Sequence, residues 1–188
     1  YNIMWRPGGG NYNDLDSREA VEKQIQTGRQ CAGLPEYVDE ICYELESFPY
    51  SPLKKSPVST ANEGILSICS GCSGVAWNVM PKRLSDAENI FNAIRSKTPF
   101  MELLSEEFKN GKNLGVYDGW HPQAQAAVPD FFSDYGGRYA EGMDEIDLLG
   151  IPRSYNLHKA SAFVLQGRQP LVFSDEEIRY ILSRGVYM

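Results

Sequence analysis

The chain alternates three times between short apolar runs with strand character and segments with helical spacing. Strands are predicted at 1–5, 40–46 and 74–80, and helices are predicted to begin near Asp16, Ser59 and Ser85. Strands separated by helices pair in parallel, because a long crossover is needed to return the chain to the same end of a sheet. The sequence therefore predicts an α/β fold, with any ligand site at the carboxyl ends of the strands.

Capping boxes mark the predicted helix starts, with a Ser, Thr or Asp followed three residues later by Glu. They occur at Asp16, Thr60, Ser85 and Ser174. A separate helix is predicted over 99–109, and the last helix over 174–183. The region between them is less regular, with a short strand predicted at 114–117 and an apolar strand at 160–165.

Length and charge limit the possible folds and partners. With 188 residues the chain is shorter than a complete (β/α)8 barrel, which needs about 250 residues, so it can hold only part of one. A net charge of −7 argues against nucleic acid or an anionic membrane as the main partner. Because Tyr1 already starts a predicted strand, we expect a piece of a longer protein, with a processed terminus as the alternative. The compartment is left unknown.

The four cysteines include one C-x-x-C pair, Cys69 and Cys72. A structural zinc site needs a second pair of Cys or His at matching spacing, and His121 and His158 stand far apart. The cysteines are therefore predicted to be small buried residues, with a redox or metal role as the alternatives. We expect neither a metal nor another cofactor.

Two carboxylates lie on one face of the second predicted strand. Residues two apart share a face, so Glu44 and Glu46 point one way while Tyr43 and Leu45 point the other. Carboxylates that face the interior of a barrel must be paired with a cation, hydrogen-bonded or used in a reaction. Arg6, at the end of the neighbouring strand, is the predicted cation. An edge strand with one solvated face is the alternative.

Two acids near aromatic and amide side chains suit glycoside hydrolysis, in which one carboxylate attacks or activates water and a second protonates the leaving oxygen. Candidate sugar-binding residues follow the predicted strands: Arg6, Asn11, Tyr12, Tyr50, Trp77 and Asn78. The run Gly8–Gly10 lacks the Gly-Lys-Ser/Thr ending of a phosphate-binding P-loop. The expected partner is a carbohydrate.

These residues resemble a known family. The stretch Glu44–Tyr50, followed by Lys55, Ser56 and Glu63, is similar to the seventh strand and helix of clan-A glycoside hydrolases of the family-42 β-galactosidase type. Residues 71–78 resemble the eighth strand of that barrel, and 1–10 would be the sixth. Residues 160–188 resemble the opening of the flavodoxin-like domain that follows the barrel and supports assembly.

The resemblance implies a division into a partial barrel over 1–110, an irregular connection over 111–158 and the start of a flavodoxin-like domain over 159–188. It implies that Glu46 is the nucleophile of a retaining hydrolase and Glu44 a deeper residue or hydroxyl ligand. The acid/base glutamate would precede Tyr1, so the 188-residue chain alone is expected to be inactive, and the parent protein is expected to be a homo-oligomer.

Two other readings of the sequence stay open. The first is a non-catalytic carbohydrate-binding or assembly module on the same scaffold. The second is a small α/β enzyme of another type, such as an amidotransferase-like hydrolase that uses Cys69 or Cys72.

Overall fold

The computed structural model describes residues 3–7, 13–110, 115–123, 146–147, 149–165 and 169–184. The chain divides into two compact units, Tyr1–Gly111 and Lys112–Met188. Each unit contains a three-stranded sheet in which all described pairings are parallel. The predicted α/β class with parallel pairing is confirmed.

The first sheet has the order β1-β2-β3, with neighbours in sequence also neighbours in space. Its strands are β1 (Met4–Trp5), β2 (Glu40–Glu46) and β3 (Gly74–Asn78). The observed bounds of β2 are those predicted, whereas β3 ends two residues earlier than predicted. The first two residues of the predicted 1–5 strand lie outside the described residues.

Three helices belong to the first unit: α1 (Ser17–Ala32), α2 (Pro57–Cys69) and α3 (Leu84–Asn110). Lys23 of α1 and Glu63 of α2 both contact Tyr43 of β2, so these helices cover the same face of the sheet. Tyr43, Leu45 and Cys72 form the buried core beneath them. Helix α3 packs against α2.

The start of α2 differs from the prediction. Ser56 is the N-cap, its side chain accepts a hydrogen bond from the backbone N–H of Ser59, and Pro57 occupies the first turn. The predicted capping box at Thr60 is therefore wrong. Thr60 and Glu63 lie inside the helix, where both are buried.

The separate helix predicted over 99–109 is also wrong, because Pro99 lies inside the continuous helix α3. Proline removes one backbone hydrogen bond and normally breaks a helix. Here Ile90 and Met101, on either side of Pro99, are 4% and 7% exposed. Burial on both sides outweighs the local cost of the proline and keeps the helix in one piece.

The second unit contains β4 (Val116–Tyr117), β5 (Arg153–Ser154) and β6 (Ala162–Phe163) in the order β5-β4-β6. A short 3-10 helix over Gln169–Val172 leads to α4 (Asp175–Ser183). The capping box predicted at Ser174 is confirmed, with Glu177 reaching back to the backbone N–H of Ser174. β4 and β5 both fall in 111–158, where the sequence indicated an irregular connection.

The core of the second unit is built from aromatic and aliphatic side chains of β4, of α4 and of the segments that precede β6 and α4: Tyr117, Leu157, Ala160, Phe173 and Ile181. Tyr117 contacts both Phe163 and Phe173 at centroid distances of 6.1 Å, and its contact with Phe173 is edge-to-face. No helix within the described ranges is long and apolar enough to span a bilayer.

Candidate functional site

The two carboxylates of β2 lie on the face opposite the helices. Glu44 and Glu46 are half-buried and alternate with the buried Tyr43 and Leu45. Glu44 Oε1 lies 3.1 Å from Nη2 of Arg6, as predicted, and the two side chains are 41% and 49% exposed. At that exposure the ion pair contributes little to stability, so it mainly balances the charge of Glu44.

Glu46 is held by the neighbouring strand. The parallel register pairs Glu46 with Asn78, and Asn78 Nδ2 donates to Glu46 Oε1 at 3.1 Å. The backbone is fixed as well, because Lys55 Nζ donates to the carbonyl oxygen of Glu46 at 2.7 Å. In the part of the chain that the structure describes, no cation pairs with the Glu46 carboxylate. Glu46 is thus oriented but not neutralised.

The structure does not bring Trp77 to the carboxylate face. Trp77 pairs in register with Leu45 and packs against the core of the first unit. It also lies so close to α2 that a Cβ added to Gly64 would be 2.5 Å from its ring. Adjacent residues of a strand point to opposite faces, so Asn78 and Trp77 cannot both reach the carboxylates. Trp77 is a core residue.

Tyr50 lies in the loop after β2, where its φ of 60° is in the left-handed region. Its ring stands edge-on to Phe48, with the centroids 5.5 Å apart. A non-glycine residue in that region is uncommon and is held there by its surroundings. Asn11, Tyr12 and the run Gly8–Gly10 lie outside the described residues.

The loops after β1 and β2 are fastened together beside the carboxylates. Asp14 accepts a hydrogen bond from the backbone N–H of Ser56 at 2.9 Å, and its own N–H donates to the carbonyl of Lys54 at 2.6 Å. Partial burial works against ionisation of Asp14, but the bonds from Ser56 and Ser59 outweigh it and lower its pKa. The carboxylate therefore ties the first loop to the N-terminus of α2.

A buried charged cluster beneath the sheet was missed by the sequence analysis. Glu63 Oε1 lies 2.6 Å from Nζ of Lys23 and accepts a hydrogen bond from the Tyr43 hydroxyl at 2.8 Å. Its other oxygen pairs with Lys55. The side chains of Lys55, Glu63 and Lys23 are 1%, 5% and 10% exposed. One buried carboxylate thus faces two ammonium groups and a phenol.

Burial dominates the protonation behaviour of this cluster. Desolvation lowers the pKa of Lys55 although the Glu63 charge opposes it, and burial next to Glu63 raises the pKa of Tyr43. Since Lys55 also holds the backbone of Glu46, the cluster links the core to the carboxylate face. The helical spacing of Thr60, Glu63 and Ser67 was the signal that Glu63 faces inward rather than caps the helix.

The second unit has its own buried ion pairs at the carboxyl end of β4. Asp118 is fully buried and lies 3.2 Å from Arg153, which also binds Asp147 through two hydrogen bonds. The backbone N–H of Trp120 and the side chain of Gln169 bond Asp118 as well. This network fixes the residues that follow β4.

Both histidines of the chain line a cavity of about 660 Å³ in the second unit. His121 Nε2 lies 3.5 Å from Glu177 Oε1, and the ring stands edge-on to Phe173. His158 stands edge-on to Tyr180 at 4.9 Å. Among the described residues, no group of three or more His, Cys, Asp and Glu is placed to hold a metal ion.

The carboxylate face therefore gathers Glu44 and Glu46 of β2, Asn78 of β3 and Arg6, which directly follows β1. No family model matches the chain, and no match was found among curated proteins or solved structures.

Proposed function

We propose that the first unit is part of the (β/α)8 barrel of a retaining glycoside hydrolase, with Glu46 as its nucleophile. The strand order and the helix placement support this proposal. β1, β2 and β3 are adjacent in sequence order, and α1 and α2 lie on one face only. In a barrel each helix returns on the outside, so the face opposite the helices lines the interior.

The single observation that carries the proposal is the setting of Glu46. It stands at the carboxyl end of β2, on the face opposite α1 and α2, with one oxygen held at 3.1 Å by Asn78. A nucleophile needs an ionised carboxylate in a fixed orientation with one oxygen free to attack. The hydrogen bond from an uncharged amide orients Glu46 without the charge neutralisation that Arg6 gives Glu44.

In the proposed reaction, Glu46 attacks the anomeric carbon and forms a glycosyl ester while the bond to the leaving oxygen breaks. A second carboxylic acid, which the family resemblance places on the fourth barrel strand, protonates that oxygen. The same group then removes a proton from water, which attacks the anomeric carbon and releases Glu46. The Arg6–Glu44 pair lies on the same face as Glu46 and would bond hydroxyl groups of the sugar.

The strand order of the second unit supports a flavodoxin-like domain. In chain order β5-β4-β6 is 2-1-3, the order with which a flavodoxin-like sheet starts. In this proposal the domain would begin at β4, earlier in the chain than residue 159. By the resemblance, such a domain would assemble the parent protein into a homo-oligomer.

The test of the proposal is covalent trapping. The intact natural protein is incubated with a fluorinated galactosyl inactivator, and the labelled peptide is mapped by mass spectrometry. A label on Glu46 that is absent from Glu46→Gln supports the proposal. Glu40→Gln, which changes an exposed glutamate at the start of β2, is the matched control and should still be labelled at Glu46. A label on Glu44 would support the same reaction with Glu44, and not Glu46, as the nucleophile.

Absence of any label, with an equilibrium binding signal for galactosides, would overturn catalysis and favour the carbohydrate-binding module instead. The 188-residue chain by itself is expected to show no turnover of an aryl galactoside, because it would lack the second carboxylate. Turnover that Glu46→Gln abolishes would contradict that part of the proposal.

A further inference from the structure

Two cysteine side chains from distant parts of the sequence meet in the first unit. Cys31, in the last turn of α1, has its Sγ 3.7 Å from Sγ of Cys72, which precedes β3. The intervening turn fits closely around them, since a Cβ added to Gly71 would lie 3.3 Å from the Cβ of Cys31. Both are free thiols in the structure.

The two thiols differ in access and in acidity. Cys31 is half-buried, whereas Cys72 is 4% exposed. The hydrogen bond with Cys72 lowers the pKa of Cys31, and the same contact together with burial raises the pKa of Cys72. The more accessible sulfur is therefore also the one that ionises first, which is what an attacking thiol requires.

We propose that Cys31 and Cys72 are a redox-active pair that forms a reversible disulfide on reaction with a small disulfide such as oxidised glutathione. The sulfur atoms are already in contact and need to approach by less than 2 Å to reach the usual bond length of about 2.05 Å. This pairing is independent of the carbohydrate chemistry proposed for the other end of the strands.

The exchange proceeds in two balanced steps. The Cys31 thiol loses its proton, and the thiolate attacks one sulfur of oxidised glutathione, which forms a mixed disulfide and releases one glutathione thiolate. The Cys72 thiol then loses its proton and attacks the Cys31 sulfur, which releases the second glutathione. The protein loses two hydrogens, and one oxidised glutathione becomes two reduced molecules.

The sequence predicted small buried cysteines, and its alternative redox motif was the C-x-x-C pair Cys69 and Cys72. In the structure the sulfur contact of Cys72 is with Cys31, across 41 positions of sequence. Burial raises the pKa of Cys69, which makes it a poor attacking thiol. Spacing in sequence is therefore not the guide to pairing here.

Closing this bond would tie the end of α1 to the start of β3. Both lie near the amino ends of the strands, whereas Glu46 and Asn78 lie at the carboxyl ends. A crosslink that closes a long loop stabilises the folded state. Oxidation is thus expected to stiffen the first unit without displacing the carboxylates.

The test uses the full 188-residue chain in glutathione buffers of graded redox ratio, followed by alkylation of remaining thiols and peptide mapping. The expected result is a Cys31–Cys72 linked peptide that dithiothreitol removes. Thermal unfolding of the oxidised form is expected to shift upward by about 5 °C or more. The Cys42→Ser/Cys69→Ser double variant is the matched control and should keep both effects.

The order of attack is tested by single variants. Cys72→Ser should accumulate glutathione on Cys31, whereas Cys31→Ser should form no disulfide that includes Cys72. A Cys69–Cys72 linkage in the native chain, or no intramolecular linkage at any glutathione ratio, would overturn the proposal.

Discussion

The Nζ of Lys23 lies 2.6 Å from Oε1 of Glu63, between two helices and the sheet that they cover. Lys55 binds the other oxygen of Glu63, and neither lysine is more than 10% exposed. Charges taken out of water are tolerated only when paired, and the Glu63 carboxylate pairs with both buried ammonium groups. The carboxylate joins α1, α2 and the loop after β2.

Glu63→Gln is expected to destabilise the chain strongly. The amide keeps the size of the side chain, but it removes the negative charge that pairs with Lys23 and Lys55 and replaces one acceptor oxygen with a donor NH2. Breaking a buried pair from one side costs about 3–5 kcal/mol. The loss is to be measured as the change in free energy of unfolding from urea titrations followed by circular dichroism.

Glu102→Gln is the matched control for that substitution, because Glu102 is an exposed glutamate on α3. It should change the free energy of unfolding by less than about 0.5 kcal/mol. If Glu63→Gln were as mild as the control, the buried cluster would not be important for stability.

The second strand shows what the sequence can predict. Its bounds and its two faces follow from alternation, because a period of two separates Tyr43 and Leu45 from Glu44 and Glu46 regardless of what surrounds them. The Arg6–Glu44 pair followed from parallel pairing of adjacent strands. These features depend on local pattern and on one topological rule.

Other features depend on tertiary contacts and were not predictable in this way. Glu63 has capping-box spacing from Thr60, yet its partners come from α1 and from the loop after β2. Pro99 marks a helix boundary by local rules, but burial on both sides maintains α3. Which of Trp77 and Asn78 reaches the carboxylates depends on the register of β3 with β2, which pairs Asn78 with Glu46.

Gly64→Ala is expected to destabilise the first unit although alanine favours helices. The new methyl group would meet the Trp77 ring at 2.5 Å and the Met101 side chain at 3.2 Å. Overpacking of this kind costs about 1–3 kcal/mol, which exceeds the helix-propensity gain of at most about 1 kcal/mol. The unfolding free energy should fall, and the fluorescence of Trp77 should change.

A smaller side chain at position 77 should relieve that clash. In a double-mutant cycle, Gly64→Ala is expected to be less costly in a Trp77→Leu background than in the native one. Additive effects of the two changes would show that the residues do not touch.

The stability of the second unit should depend on pH through Glu177. Partial burial alone would raise the pKa of Glu177, but its bonds to Ser174 and the neighbouring His121 together lower it below the ordinary value of 4.5. The contribution of ionised Glu177 to the free energy of unfolding is then fully present above about pH 4.5, and it is lost as the pH falls through the lowered pKa of the folded state. For a partly exposed group it amounts to at most about 1 kcal/mol.

The measurement is a series of urea titrations from about pH 7 down to about pH 3, compared between the native chain and Glu177→Gln. Glu177→Gln should lack the decrease in the free energy of unfolding that the native chain shows between about pH 4.5 and pH 3. Glu176→Gln, which changes the exposed neighbouring glutamate, should retain it. Equal pH profiles for the native chain and Glu177→Gln would contradict this assignment.

Asn78→Ala tests the orientation of Glu46 and rests on the proposed function. The variant removes the amide that donates to Glu46 Oε1 at 3.1 Å, so the carboxylate is free to rotate away from the attacking position. A hydrogen bond to a charged group contributes about 1.5–3 kcal/mol. The rate at which the fluorinated galactosyl inactivator labels the intact natural protein should therefore fall by about 10- to 100-fold. Asn62→Ala, which removes an exposed amide from α2, should leave that rate unchanged. A labelling rate in Asn78→Ala equal to the native rate would show that Asn78 does not position the nucleophile.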